Sequence, residues 1–173
     1  WAGIPGRSEL HGLAIVVDAA VAEVAWFPSA LLLDVSVLEA LGAHRAFRAH
    51  HAKALMRTFL ASGVHLGGLQ LDTAIAAYLI DPAETRYSIA DLLAKYTPYE
   101  LGGAAAAATG QLDFGDHGDG RDPAGAEALA VHHLAEALAS ALDKQGMAEL
   151  YATVENPLVE VLAKMEHVGI AVD

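Results

Sequence analysis

The sequence has no cysteine, no long apolar run and few basic residues. The absence of cysteine excludes disulfides and thiolate metal sites and agrees with a cytoplasmic protein. No apolar stretch reaches membrane-spanning length without a charge or a turn, and no basic segment followed by an apolar run opens the chain, so we predict neither a membrane span nor a signal sequence. The formal net charge of −12 argues against a chain that grips a nucleic-acid backbone.

What is present indicates a folded domain. Hydrophobic residues make up 54% of 173 residues and the mean hydropathy is +0.35, which excludes a disordered chain and allows a real core. No internal repeat is visible.

Local patterns predict strands early and helices later. Residues 13–17 and 21–27 are short, β-branched runs on either side of Asp-Ala-Ala, which favours a β-hairpin. A small mixed sheet with helices packed on it, an α/β or α+β fold, is the expected architecture. Further strands are predicted at 47–50 and 69–72, and helices at 36–41 (capped by Ser36 or Asp34), 51–62, 73–80, 89–96 (capped by Ser88), 124–145 and 155–168.

Residues 101–123 differ from the rest, with an alanine run, many glycines and four aspartates, and we predict a mobile surface insert there. The aspartate spacing is only superficially that of a calcium loop, because the terminal glutamate ligand is missing. We therefore predict no calcium site at Asp113, Asp116, Asp119 and Asp122.

The closing segment predicts an amphipathic helix that starts near Pro157 and stops at Gly169. Residues 170–173 then read as a strand that has only begun, so we expect the chain to be a fragment of something longer. The apolar positions fall at helical spacing and are predicted to be buried together: Leu158, Val161, Leu162, Met165 and Val168.

Four segments together resemble the 3′–5′ exonuclease-like domain of bacterial A-family DNA polymerases as it runs into the polymerase domain, the last of them matching the linking helix and the opening of the polymerase part. They are GLQLDTAIAAYLIDP at 68–82, YSIADLLAKY at 87–96, the hairpin at 12–28 and the closing segment at 155–173. The resemblance implies a ribonuclease-H-like 3′–5′ exonuclease fold over 1–150, followed at 151–173 by a connecting helix and the start of a polymerase domain.

Family members that proofread hold two divalent cations with carboxylates from three motifs. The first, Asp-x-Glu, occurs nowhere in this sequence, so either its strand is missing from the chain or the parent has diverged there. In the second, His51 stands for the motif asparagine and Leu55 for the metal-binding aspartate. In the third, Leu129 stands for the tyrosine and His133 for the aspartate. Asp72 matches a position that is not a ligand, and we predict that it caps the helix that follows.

The resemblance therefore implies a vestigial domain with no catalytic residues, no cofactor and no metal of its own. Its partner would be the polymerase domain in cis, and its own contact with DNA weak or none. The parent would be a bacterial, cytoplasmic DNA-directed DNA polymerase in replication and repair that uses magnesium. Two alternatives stay open: an active 3′–5′ exonuclease whose first motif is absent from this chain, and an acidic protein-interaction module.

Three further features allow two interpretations each. The pairs His50-His51 and His132-His133 suit either a zinc site or neutral replacement of lost ligands, and we favour the second. Trp26 and Phe27 suit the hairpin core better than a base-stacking platform. A basic cluster is formed by Arg45, Arg48, Lys53 and Arg57. Its two interpretations are contact with a phosphate or the neighbouring domain, and a solvated face, which we prefer.

Overall fold

Two separate pairs of strands form the sheets of the structure, a computed structural model that describes residues 1, 4–100 and 121–169. Strands β1 (Gly12–Asp18) and β2 (Glu23–Pro28) pair in antiparallel fashion, which confirms the predicted hairpin. Val21 lies in the turn between them and is exposed, although it was predicted to start the second strand.

Strands β3 (Phe47–Ala49) and β4 (Leu69–Asp72) pair in parallel fashion on either side of helix α2 (Ala52–Ala61). Both strands were predicted. The prediction of a single mixed sheet was wrong for the described residues, because the two pairs of strands do not join. With three residues, β3 offers little ladder to a further strand, and a long helix packs against both pairs instead.

The helices follow the predicted order. Asp34, not Ser36, caps the first helix through the backbone N–H of Ser36 at 2.8 Å. Ser88 caps the fourth as predicted. The helices beside α2 are α1 (Val35–Ala43), α3 (Thr73–Ile80), α4 (Ile89–Tyr96), α5 (Arg121–Lys144), α6 (Ala148–Leu150) and α7 (Asn156–Val168), with a 3-10 turn at Leu31–Leu33 and a π-helical segment at Tyr151–Glu155. None of the described helices is both long and apolar enough to cross a membrane.

Helix α5 begins at Arg121, which corrects the predicted end of the insert at residue 123. Pro123 is tolerated because the first turn of a helix needs no backbone N–H donor there. The remainder of the predicted insert, 101–120, lies outside the described residues.

The core has two parts. In one, α3, α4 and α5 surround buried Leu134 and Leu138 and meet Leu71 of β4. In the other, α2 and α7 pack with the 3-10 turn around Met56 and Phe59, and Phe27 of the hairpin covers them.

Helix α7 buries a different face from the predicted one. Val159 and Ala163 are its buried residues and lie against α2, where the small alanine allows close approach. The face predicted to be buried is exposed, with 41% of Leu158, 50% of Val161, 37% of Leu162, 61% of Met165 and 83% of Val168 accessible.

Candidate functional site

The second-motif positions lie where β3 ends and α2 begins. His51 is the residue before α2 and adopts a left-handed backbone (φ 58°), which is unusual for a residue with a side chain. Leu55, one turn into the helix, is half-buried and packs against the cluster around Met56 and Phe59. An aliphatic side chain at this position cannot ligate a cation.

Asp72 is buried at the centre of this region, with 2% of its surface exposed. It caps α3, as predicted, through the backbone N–H groups of Ala74 (2.9 Å) and Ile75 (3.3 Å). It also accepts hydrogen bonds from the backbone N–H groups of His51 (3.3 Å) and Ala52 (2.7 Å), and so caps α2 as well. The carboxylate is thus saturated with backbone donors, a structural arrangement that needs no cation.

The phenol of Tyr151 extends this arrangement to the C-terminal helices. Its oxygen accepts a hydrogen bond from the backbone N–H of Asp72 (2.7 Å) and lies 3.3 Å from Oδ1 of Asn156. The amide of Asn156 in turn donates to the carbonyl of Leu69 (2.7 Å). Burial raises the pKa of Tyr151 to about 12. This network was not predicted from the sequence, because it joins residues that are 79 and 87 positions apart.

The third-motif positions lie on α5. His133 stacks on Tyr99 with ring centroids 4.2 Å apart, and Leu129, one turn earlier, is half-buried. Beside the stacked rings is an open cavity of about 460 Å³, which is also lined by Tyr96 and Glu136. The surroundings of His133 are therefore aromatic, not those of a metal ligand.

Glu136 links the two motif regions at the surface. Its carboxylate lies 3.6 Å from Nε2 of His132 on the same helix and 3.9 Å from Nη1 of Arg48 on β3. Sequence reasoning missed Glu136, although its position four residues after His132 is the spacing at which helical side chains meet.

His50 is held neutral by its surroundings. Burial, followed by the neighbouring charge of His51, lowers the pKa of His50 to about 3. Its Nδ1 lies 2.8 Å from the hydroxyl of Thr73, and its ring is 4.1 Å from the ring of His51. A neutral, hydrogen-bonded imidazole suits the interpretation of His50 as a polar replacement within the fold.

The two divalent cations held by proofreading members of the family that the sequence resembles do not fit these residues. Within 1, 4–100 and 121–169, no three His, Asp or Glu side chains come close enough together to hold an ion. Leu55 offers no donor, His133 stacks on an aromatic ring and Asp72 is saturated. Of the four aspartates in the predicted insert, only Asp122, in the first turn of α5, falls within the described residues.

Much of the basic cluster is engaged within the molecule. Lys53 and Arg57 of α2 form ion pairs with Glu166 of α7 at 2.7 and 3.0 Å, and Arg57 also donates to the carbonyl of Gly6. These contacts lower the pKa of Glu166, chiefly through the Lys53 hydrogen bond. Lys53 and Arg57 therefore fasten α7 to α2 and are less available to a phosphate than free basic side chains, whereas the sequence predicted a solvated face.

Trp26 lies against the opposite strand of the hairpin. A Cβ at Gly12 would overlap its ring, so the glycine makes room for the indole. The indole nitrogen is buried and has no hydrogen-bond partner in the described part of the chain. These contacts support the interpretation of Trp26 as part of the hairpin packing.

Comparison with known proteins identifies relatives of one kind. DNA polymerase I of Mycobacterium leprae is 36% identical over 129 residues, and that of Mycobacterium tuberculosis H37Rv is 36% identical over 132. Each match covers 72% of this chain and 14% of the relative, so the chain spans about one seventh of these curated relatives. Bacillus subtilis DNA polymerase I is 29% identical over 119 residues, 64% of this chain and 13% of that protein.

A solved structure agrees with these matches. The POL domain of Pol1 from M. smegmatis, in complex with DNA primer-template and dNTP, superposes with a TM-score of 0.69 and 28% identity. The match covers 87% of this chain and 24% of that one. No protein-family model matches the chain.

Proposed function

Because this chain belongs to the bacterial A-family DNA polymerase I family, as a region of about 14% of its length, we propose that it is the family's 3′–5′ exonuclease-like domain in a form that no longer proofreads. Its antiparallel hairpin and its parallel strand pair are what remains of a ribonuclease-H-like architecture, although the two pairs do not join in one sheet. The region serves as a structural part of the polymerase. Template-directed synthesis, with magnesium, is carried out by residues outside this chain, and the polymerase domain in cis is its partner.

One observation carries the proposal: none of the second- and third-motif positions holds a carboxylate, and the side chains there make structural contacts instead. Leu55 packs against the core around Met56, and His133 stacks on Tyr99. Two-metal hydrolysis needs a cage of anionic oxygens around both cations, and neutral side chains at these positions cannot build one. The net charge of −12 further disfavours tight contact between this region and DNA.

The test is degradation of 5′-labelled single-stranded DNA by the chain in magnesium or manganese, beside a Leu55→Asp/His133→Asp variant and a sample with chelator. We expect no metal-dependent shortening by the wild-type chain. Metal-dependent shortening by the wild-type chain that is abolished by chelator would establish the alternative, an active exonuclease. Shortening by the double variant alone, which regains two carboxylates, would agree with the proposal.

A further inference from the structure

An apolar stripe runs along the outer side of α7. Its members are 37 to 83% exposed, and monomeric proteins seldom leave so continuous an apolar surface without a use for it. We define the α7 stripe as Leu158, Val161, Leu162, Met165 and Val168.

The stripe is a complete helical face. At about 100° per residue its five members fall within an arc of about 120°, and the charged residues of α7 lie outside that arc. Leu150 and Val154, in the helical segments just before α7, are also exposed, at 42% and 48%. The other side of α7 is already occupied, since Val159 and Ala163 pack on α2.

Helix α7 is fastened rigidly behind the stripe. Glu166 pairs with Lys53 and Arg57 of α2, and Asn156 holds the first turn to the carbonyl of Leu69. A helix anchored at both ends presents its outer face with little conformational freedom left to lose, which favours docking.

The length of polymerase outside this chain bears on what covers the stripe. This chain matches only 24% of the solved polymerase chain on which it superposes, so most of that polypeptide lies outside it. The stripe has no charge with which to hold a phosphate backbone, whereas an apolar protein surface matches its chemistry.

We propose that the α7 stripe is the surface on which an apolar face of the remaining polymerase chain docks in cis. The inference rests on the proposed function only in taking this region to be a structural part of the polymerase. Beyond the proposed function, the inference identifies the face of α7 that makes the contact and the apolar chemistry of that contact.

The experiment uses the whole polymerase that contains this chain, with a thiol introduced by Met165→Cys or, as the matched control, by Leu33→Cys. Both native side chains are well exposed in this chain, at 61% and 75%. Mass spectrometry identifies the cysteine that maleimide has labelled. The labelling rate of each folded variant is divided by the labelling rate of the same variant in denaturant. We expect Met165→Cys to label about tenfold or more slowly than Leu33→Cys, because labelling then requires the docked helix to open.

Adding Val161→Lys to Met165→Cys should remove this protection, because a lysine in the stripe disrupts an apolar contact. Equal normalised rates for Met165→Cys and Leu33→Cys would overturn the proposal. So would protection of Met165→Cys that Val161→Lys leaves unchanged.

A photo-crosslinker at position 161 identifies the occupant in a mixture of isotope-labelled and unlabelled polymerase. Crosslinks to peptides of the same molecule, from outside this region, support the proposal. Crosslinks between labelled and unlabelled copies, or to DNA, contradict it. DNA degradation in the nuclease assay would refute the proposed function and leave these labelling results unchanged, so the two failures are distinguishable.

Discussion

The Asp72 carboxylate accepts a hydrogen bond of 2.7 Å from the backbone N–H of Ala52, twenty residues earlier in the chain. The same side chain caps α3, so one buried carboxylate satisfies the N-termini of two helices. Helix N-termini carry unpaired donors and partial positive charge, which a carboxylate stabilises.

Replacement of Asp72 by alanine should therefore remove two caps at once. We expect a loss of about 1–4 kcal/mol in the free energy of unfolding, because each of the two caps contributes about 0.5–2 kcal/mol. The matched control is Asp34→Ala, which removes a single, exposed cap from α1 and should cost about 1 kcal/mol. Urea denaturation of both variants checks this, and equal losses would show that the bonds to α2 contribute nothing.

Asp72 also shows how far local sequence signals reach. The predicted strand 69–72 and helix 73–80 match the structure residue for residue, because an N-cap at Asp72 and a stop at Asp81-Pro82 are encoded in adjacent residues. The second cap was not predictable, since it depends on β3 and β4 pairing across an intervening helix.

The buried face of α7 was predicted wrongly for a similar reason. Periodicity identifies an apolar face, but it does not identify what covers that face. The smaller Ala163 fits closest to α2, which leaves the larger side chains such as Met165 outside. At the candidate site, the degenerate positions stay a prediction from the resemblance. The stacking of His133 on Tyr99 was not predicted because it depends on tertiary packing, and the contact of His132 with Glu136 was not predicted because it depends on the register of one helix.

His50 should make the fold sensitive to acid. Its pKa is lowered from 6.5 to about 3, so between these values the unfolded chain binds a proton that the folded chain does not. The contribution of His50 to the free energy of unfolding is fully present above pH 6.5. It is lost as the pH falls toward 3, by at most about 1.4 kcal/mol per pH unit.

The check is urea denaturation at several pH values between 4 and 7 for the wild type, His50→Gln and, as control, His51→Gln, which changes the exposed neighbour. His50→Gln should flatten the dependence of unfolding free energy on pH, and His51→Gln should change it much less. A slope unaffected by His50→Gln would assign the acid sensitivity to other groups.

Gly68 permits the close approach of two backbone segments at the entrance to β4. Its φ is +80°, and a Cβ there would overlap the carbonyl of Arg45. Gly63 also has a positive φ of +77° but has nothing within 4 Å of a Cβ, which makes it a matched control. Gly63→Ala should cost only backbone strain, about 1–2 kcal/mol.

Gly68→Ala should cost about 4 kcal/mol or more, or prevent folding, because the overlap adds to the same strain. Circular dichroism would report any loss of folding, and denaturant midpoints would rank the two variants. Similar midpoints for both would mean that the chain near Arg45 moves aside at little cost.

Tyr151 should be the tyrosine whose hydroxyl contributes most to stability. Tyr151→Phe leaves the buried N–H of Asp72 without its acceptor at 2.7 Å and removes the contact with Asn156, so we expect a loss of about 1–3 kcal/mol. Tyr78→Phe is the control, because that ring is 50% exposed.

The pKa of Tyr151, raised from 10.0 to about 12, gives a second readout. Its contribution is fully present below pH 10 and is lost as the pH rises toward 12, because ionisation favours the unfolded chain. Ultraviolet titration of the folded chain should show the same number of tyrosines ionising up to pH 11 in the wild type and in Tyr151→Phe. If Tyr151→Phe lost a transition near pH 10 instead, the phenol would be open to solvent and the link between Asp72 and the C-terminal helices would be absent.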